Sequence, residues 1–334
     1  DFTSPAMPTA RGRDADNLQP RVGFSWDVAG NGQHVLRGGL GLFTGRFLLV
    51  PAHSELQRNS YTGYITQQRV NGALIGFPTL ALDPNNPQNT GIALPYDATR
   101  IDDELVNPFA TQFTAGYAVR LWNTGLYADF EGIYVKGDDE IVLQDQNWPG
   151  NGVAGGRPDK TRTFIDTYTN KGRSEYKAFV SSVNGTVKGG HVVSASFTVA
   201  DKKNIEDDFS PAISDYPNDP ANLEAEWGRS RGDERYRFVA SAVMRLPARF
   251  TLAPIFSYGS GQPWNYRLGY DRNGDGRNSD RPDGTPRFSE DGPNYMSFDV
   301  RLTYGLPLGS RAKVDLIAEA FNLFNRTNYD VNFL

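Results

Sequence analysis

Apolar and polar residues alternate along ten segments of this chain. The clearest is 296–306, where the apolar even positions are separated by Ser297, Asp299, Arg301 and Thr303. Because successive side chains of a β-strand point to opposite faces, the alternation predicts strands with one apolar and one polar face. The predicted strands are 20–28, 34–46, 108–121, 126–136, 172–187, 191–203, 233–246, 250–261, 296–306 and 312–324.

The connections between these strands fall into two length classes. Short turns at one end and long loops at the other are typical of a transmembrane β-barrel of the bacterial outer membrane. The sequence therefore predicts an all-β, antiparallel barrel wall of about ten strands. The short turns are 29–33, 122–125, 188–190, 247–249 and 307–311. The long loops, expected outside the cell, are 47–107, 137–171, 204–232 and 262–293.

Two segments depart from this pattern. Pro254 lies inside strand 250–261 and cannot donate to a ladder, so we expect a β-bulge there or a different strand boundary. Segment 57–70 is also strand-like. An even number of crossings must separate strands 34–46 and 108–121, so we expect 57–70 to form an extracellular hairpin or loop.

Composition agrees with a barrel. No run approaches the roughly 18 apolar residues of a transmembrane helix. The mean hydropathy of -0.52 fits, because barrel strands hide half of their residues from lipid. Aromatic residues recur near strand ends, as in interfacial girdles, at Trp26, Tyr134, Tyr258 and Tyr304. The chain has no cysteine and a net charge of -5, and nothing indicates nucleic-acid binding.

Ten strands are not expected to be a whole barrel here. A spanning sheet must close, because lipid offers no partners for backbone polar groups. Segment 326–334 looks like the start of a further loop, and Asp1 opens without the basic start and apolar core of a signal peptide. We expect a processed chain or a fragment of a longer one.

Six stretches resemble Oar-like TonB-dependent receptors, in the order that the family has them. The last, which looks like a penultimate barrel strand, is the most specific. The stretches are 19–27 (QPRVGFSWD), 35–46 (VLRGGLGLFTGR), 107–112 (NPFATQ), 233–239 (DERYRFV), 271–282 (DRNGDGRNSDRP) and 317–329 (IAEAFNLFNRTNY).

The resemblance implies a 22-stranded barrel that encloses an N-terminal plug, preceded by a segment that contacts TonB. The ten strands would be numbers 12 to 21, and this sequence would lack the plug, the TonB-contacting segment, the first half of the barrel and the last strand. The implied function is energy-coupled uptake of a scarce ligand, an iron chelate, a glycan or a peptide. The implied partners are outer-membrane lipid, the plug domain and the TonB system.

One loop has the opening spacing of a calcium site. Asp271, Asn273 and Asp275 alternate before Gly276, and Asp280 supplies a further oxygen. Pro282 replaces the usual closing Glu, which excludes an EF-hand. The alternative is a polar turn rich in Asp, Asn and Gly. No other cofactor is expected.

Charged residues on the polar face of the strands predict a charged inner wall. Such a wall is either a polar path past the plug or a docking surface for it, and the alternative is ordinary solvation with cross-strand charge pairs. These residues are Arg120, Asp129, Glu131, Asp299, Arg301, Asp315 and Glu319.

Aromatic residues in the long loops are candidate ligand contacts, since large rings with a polar group suit sugars and peptides. The alternative is packing of one loop on another. The candidates are Trp148, Tyr216, Trp227, Trp264 and Tyr270.

Nothing in the sequence indicates an enzyme. His34, His53 and His191 lie far apart without metal-ligand spacing, and there is no P-loop or nucleophile-elbow motif. Three rivals to the receptor hypothesis stay open: a passive pore or structural wall protein, a surface adhesion or export partner that binds another protein, and a soluble β-sandwich.

Overall fold

The computed structural model describes residues 14–15, 17–46, 49–59, 69–70, 73–74, 96–148, 150, 156–160, 162–207, 216–309 and 311–329. One α-helix, α1, spans Leu49–Asn59. The strands are β1 Arg21–Asp27, β2 His34–Thr44, β3 Arg69–Val70, β4 Ala73–Leu74, β5 Tyr96–Ile101, β6 Phe109–Leu121, β7 Leu126–Asp145, β8 Arg162–Val187, β9 His191–Asn204, β10 Gly228–Arg229, β11 Tyr236–Arg245, β12 Phe250–Gly259, β13 Pro263–Trp264, β14 Glu290–Asp291, β15 Tyr295–Leu308 and β16 Ala312–Ala320.

Ten strands form one continuous antiparallel sheet in the order β1-β2-β6-β7-β8-β9-β11-β12-β15-β16. They correspond to the ten predicted strands, so the all-β antiparallel prediction is confirmed. β5 joins the sheet parallel to β8, and β10 joins it antiparallel to β9. Within the described residues β1 and β16 each pair on one side only, so the sheet is open.

One face of the sheet is apolar and the other is polar, as the alternation predicts. Directly paired residues of neighbouring strands point to the same face. One row of such pairs crosses nine strands and is apolar at every position except Ser181. The row consists of Trp26, Leu36, Tyr117, Phe130, Ser181, Phe197, Phe238, Tyr258 and Met296.

The short turns lie where the sequence places them. The turn after β6 is a short 3-10 segment, Trp122–Thr124, closed by Gly125 in the left-handed conformation with φ of 79°. A Cβ atom at Gly125 would clash with the backbone oxygen of Thr186. Glycine is therefore required at this turn for both its conformation and its size.

The predicted loop 137–171 is wrong in its bounds. β7 continues to Asp145 and β8 already begins at Arg162. The run Gly137 to Glu140 reads as a loop because the pairing shifts register there. Beyond that irregularity, apolar residues of β7 pack against the loops rather than against lipid, so the alternation of a membrane strand is lost.

Pro254 does not cause the predicted bulge. It pairs directly with Val300, and the register of β12 against β15 is continuous from Phe250 to Gly259. Against β11 the register is also unchanged, although no pair is formed opposite Ala253 and Pro254. The missing donor therefore removes local pairing on one side without inserting a residue.

The structure describes only the two ends of segment 57–70, which we expect to form an extracellular hairpin or loop. Residues 57–59 complete α1, a helix that the sequence analysis did not predict, and Arg69–Val70 pairs with Ala73–Leu74 in a short hairpin. Residues 60–68 lie outside the described residues. The helix end is held in place because a carboxylate oxygen of Glu55 accepts a hydrogen bond from the backbone N–H of Ile101 at 2.9 Å.

The last predicted strand, 312–324, ends earlier, at Ala320. Asn322 and Asn325 adopt left-handed φ values of 47° and 49°, which turn the chain away from the sheet. The backbone N–H of Asn322 donates to Asp299 at 2.7 Å and fixes that turn.

The two buried apolar clusters lie at the long-loop end of the molecule, around the extended ends of β7 and β8, rather than in the membrane-spanning part of the sheet. The first joins Ile101, Leu143 and Tyr168, and the second joins Val142, Ile205 and Leu223. We call this end the loop cap, defined as α1, β5, the extended ends of β7 and β8 (137–145 and 162–171), and segments 204–207, 216–233 and 262–291. None of the helices among the described residues is long and apolar enough to cross a membrane.

Candidate functional site

The loop cap is held together by arginine side chains that join segments distant in sequence. Arg277 pairs with Asp166 of β8 at 2.6 Å and stacks on the ring of Tyr216 at 3.2 Å and on that of Phe164 at 4.0 Å. Burial opposes the charge of Arg277, but Asp166 and Tyr216 outweigh it and raise its pKa above the ordinary value. The group therefore stays a cation that joins three segments.

A second junction surrounds Arg287, whose side chain is only 1% exposed. It pairs with Asp207 at 2.7 Å and donates to the backbone oxygens of Asn204, Ile205 and Glu226. Burial lowers the pKa of this guanidinium, and Asp207 opposes that effect. Close by, Arg281 pairs with Glu226 at 2.6 Å, with both side chains nearly inaccessible. Segment 262–293 is thereby fastened onto segment 204–232.

The carboxylates of the calcium-like loop are engaged with backbone donors. Asp271 accepts hydrogen bonds from the N–H groups of Gly274, Asp275 and Gly276 at 2.7, 3.1 and 2.8 Å. Asp280 accepts one from Arg272 at 2.6 Å, and Asn273 donates from its amide to the backbone oxygen of Asn218.

Asp275 accepts a hydrogen bond from the backbone N–H of Arg277 at 2.6 Å, and burial raises the pKa of its carboxyl group. Among the described residues, no group of three or more His, Cys, Asp or Glu side chains is arranged to hold a metal ion. Calcium binding by Asp271, Asn273, Asp275 and Asp280 stays a prediction, and the polar-turn alternative accounts for these hydrogen bonds.

The five aromatic candidates occupy different environments at the long-loop end of the sheet. Tyr216 packs against the first apolar cluster, and Trp227 packs against the second and is covered by Arg173 at 4.1 Å. Trp148 and Trp264 are half-buried. Tyr270 is exposed, and so is Tyr266, which sequence reasoning missed although it lies two residues from Trp264.

The predicted inner-wall charges share the polar face, and several are paired across strands. Arg301 pairs with Glu319 of the neighbouring strand at 2.6 Å, whereas Asp315 pairs with Lys313 of its own strand, β16, at 2.7 Å. Asp299 accepts from the backbone of Asn322, and Arg120 donates to the hydroxyl of Tyr127 at 3.1 Å.

Sequence reasoning missed the cation that joins the two acids of β7. Arg37 of β2 pairs with Asp129 at 2.5 Å and with Glu131 at 3.3 Å. It reaches over Gly116 of β6, where a Cβ atom would lie only 2.9 Å from the Arg37 side chain. The register alone, Arg37 opposite Gly116 opposite Glu131, could have revealed this contact.

Comparison with known proteins identifies the family. The sequence profile of the family described as "Outer membrane beta barrel domain" matches residues 6–290, most of the chain. The chain belongs to this family of outer-membrane β-barrels. It is therefore a protein of the bacterial outer membrane, and the apolar face of its sheet is the lipid face. Among curated protein sequences, none matches this chain.

Solved structures with the same fold are barrels of outer-membrane transporters. The outer membrane transporter YddB of Escherichia coli has a TM-score of 0.59 at 12% identity, over 93% of this chain and 37% of that protein. A ferric enterobactin receptor (PfeA) variant from Pseudomonas aeruginosa has a TM-score of 0.53 at 16% identity, over 92% and 35%. The FrpB iron transporter of Neisseria meningitidis has 0.50 at 12%, over 93% and 35%.

This outer-membrane β-barrel chain thus spans little more than a third of the length of those transporters. At these identities the likeness shows the fold. The similar structures are described as transporters and receptors.

Proposed function

We propose that this chain forms part of the wall and the outer cap of a TonB-dependent receptor of the Oar-like group. The ten strands would be numbers 12 to 21 of a 22-stranded barrel, and the transport would be energy-coupled uptake of a scarce ligand. The observation that carries the proposal is the fastened loop cap. Arg277 and Arg287 hold loops from three connections together above a polar inner wall.

The names of the similar structures support a transport role. They are described as an outer membrane transporter, an iron transporter and a ferric enterobactin receptor. An iron chelate, a glycan or a peptide is the proposed ligand class for this chain. The rings of Trp264 and Tyr266 lie 6.5 Å apart in segment 262–293, and Tyr266 and Tyr270 are exposed.

The polar face of the sheet supports a partnership with a plug domain. The cluster of Arg37, Asp129 and Glu131 lies on that face, four to six residues above the short turn at Gly125, and each side chain is about one-third exposed. Partly exposed charges with remaining hydrogen-bonding capacity can dock a polar domain inside the barrel. The plug and the TonB system are therefore the proposed partners.

The test is uptake by the full-length receptor in cells with and without a functional TonB system. Ferric chelates, oligosaccharides and peptides would be offered separately as labelled ligands. Saturable uptake of one class that disappears without TonB is the expected result. Uptake that persists without TonB would favour a passive pore instead. Tight binding of a surface protein without uptake of any ligand would favour an adhesion or export partner.

A further inference from the structure

An open groove lies on the lipid face of the sheet, across β6 to β9. Its volume is about 480 Å³, and it is lined mainly by apolar side chains. These include Phe113, Ala115, Gly132, Tyr134, Phe179 and Val199. The groove is therefore a feature of the surface that faces the bilayer and not of the inner wall.

The groove exists because small residues lie side by side among large rings. Ala115 pairs with Gly132, which in turn pairs with Phe179, while the next row pairs Phe113 with Tyr134. A Cβ atom added at Gly132 would meet nothing closer than the backbone oxygen of Ala115 at 3.9 Å. The floor is thus open space that an aliphatic chain can fill.

A charged rim borders the groove on the side of the long loops. Lys177 pairs with Glu175 at 2.6 Å, and Arg235 pairs with Asp201 at 2.9 Å and with the buried Asp233 at 3.2 Å. In each pair the cation is the more exposed partner, with Lys177 at 56% against Glu175 at 24%, and Arg235 at 36% against Asp201 at 25%. The rim therefore presents its cations outward, a surface complementary to an anionic group.

The height of these groups agrees with a lipid at the outer interface. With strands tilted by about 40°, each residue rises by roughly 2.6 Å along the membrane normal. Gly132 follows the turn at Gly125 by seven residues, and Lys177 precedes the turn at Lys188 by eleven. These distances place Gly132 roughly 18 Å and Lys177 roughly 29 Å above the turns, against an apolar band of about 25 Å.

We propose that this groove binds one acyl chain of a phosphorylated glycolipid of the outer leaflet, of the lipid A type. The chain lies along Ala115 and Gly132, and a phosphate of the headgroup contacts Lys177 and Arg235. Lysine and arginine have further N–H donors beyond those that their carboxylate partners use, so both can bind phosphate without losing the existing pairs.

The experiment measures lipid binding to the full-length, delipidated receptor in detergent by native mass spectrometry. The probes are purified bisphosphorylated lipid A, the same glycolipid without its phosphates, and phosphatidylglycerol. Gly132→Leu and, as a second groove-filling variant, Ala115→Leu are compared with Ala240→Leu. Ala240 lies on the same face outside the groove, opposite Phe256. The double variant Lys177→Gln/Arg235→Gln tests the rim.

Either groove-filling variant that assembles should weaken lipid A binding by about tenfold, and so should the rim variant. Ala240→Leu should bind like the wild type, and the glycolipid without phosphates should bind weakly to all forms. Equal binding by wild-type and groove-filled receptors would overturn the groove. Equal binding of phosphatidylglycerol, or of the glycolipid without phosphates, would overturn the assignment to lipid A.

Discussion

The ten-stranded sheet and the loop cap bury different kinds of residues. In the sheet the large apolar side chains, such as Phe24 and Trp26, face outward and stay exposed in the isolated protein. In the loop cap the fully buried side chains include charged groups, Arg287 and Asp166 among them, next to small apolar clusters. The sheet thus exposes apolar side chains, as is suitable in lipid, whereas the cap buries apolar and paired charged side chains, as a water-soluble protein does.

Changes in charge are therefore expected to destabilise the two regions for different reasons. A charge placed on the outer face of the sheet meets hydrocarbon, which cannot solvate it. A charge removed from the cap leaves a buried partner without its counter-ion. The predictions that follow are ordered from the largest expected effect to the smallest.

The largest effect is expected for removal of the arginine at the centre of the second junction. Arg287→Met removes the cation that pairs with Asp207 and the donor to three backbone oxygens, a loss of about 3–5 kcal/mol for a broken buried ion pair. Hydrogen exchange should increase in 204–207 and 216–233, while the strands below stay protected. Arg272→Met is the control, because Arg272 pairs with the exposed Asp283 and should leave exchange unchanged. Unchanged exchange in the Arg287 variant would show that the junction does not hold the cap.

A slightly smaller effect is expected on the lipid face. Phe130 follows the turn at Gly125 by five residues, which places it near the middle of the apolar band. Phe130→Arg should destabilise the assembled barrel by about 2–4 kcal/mol, measured by denaturant unfolding in lipid vesicles. Val180→Arg is the matched control, since Val180 faces inward opposite Glu131 and its charge can be solvated there. If both variants lose the same stability, the assignment of the two faces is wrong.

A moderate, pH-dependent effect is expected where β7 leaves the membrane. Burial raises the pKa of the Glu140 carboxyl group above its ordinary value of 4.5, and a hydrogen bond from Ser174 opposes this. Because the folded state holds the proton more tightly, the contribution to stability is full at pH values below 4.5 and is lost as the pH rises through the raised pKa.

Protection of residues 137–145 from hydrogen exchange, corrected for the intrinsic rate, should therefore fall between acidic and neutral pH. Glu140→Gln should keep the same protection at both. Ser174→Ala is an informative companion, since it removes the bond that favours the charged form and should enlarge the fall. A wild-type protein whose corrected protection is the same at both values would contradict the prediction.

The smallest effect concerns the proposed calcium loop. If Asp271, Asn273, Asp275 and Asp280 bind calcium, a chelator should speed protease cleavage within 262–293, and added calcium should restore resistance. Asp275→Asn should weaken that dependence. Cleavage that does not respond to either chelator or calcium would contradict calcium binding and favour the polar turn, which is held by hydrogen bonds to Asp271 and Asp280.

The membrane part of the sheet could be predicted from sequence because two solvents select its residues. Alternation in 296–306 and the tight turn at Gly125 specify strand, face and direction locally. Beyond Gly137 the strand leaves the lipid, and its residues no longer alternate between apolar and polar. The sequence pattern therefore does not reveal that β7 continues to Asp145. The end of β16 was missed for a different reason: Asn322 and Asn325 turn the chain through left-handed conformations that the apolar pattern does not encode.

The candidate site was harder to predict than the fold. Inner-wall acids such as Asp129 could be named from parity, but their cation, Arg37, lies 92 residues away and is brought near only by the pairing of three strands. Arg277 and Arg287 read as ordinary loop charges, and their burial depends on contacts between separate loops. Tyr216 was identified as an aromatic of interest, although its partners could not be known from sequence.

The apolar row from Trp26 to Met296 has a geometric consequence. Counted from the middle of the adjoining short turn, its members climb by about eight residues between the first hairpin and the last. That is roughly 27 Å measured along the strands over roughly 38 Å across eight strand spacings. The resulting slope is about 35°, at the lower end of the inclination of strands in closed barrels. Side chains that are neighbours in the ladder therefore sample different depths of the bilayer, and the row winds as a spiral from one membrane surface towards the other.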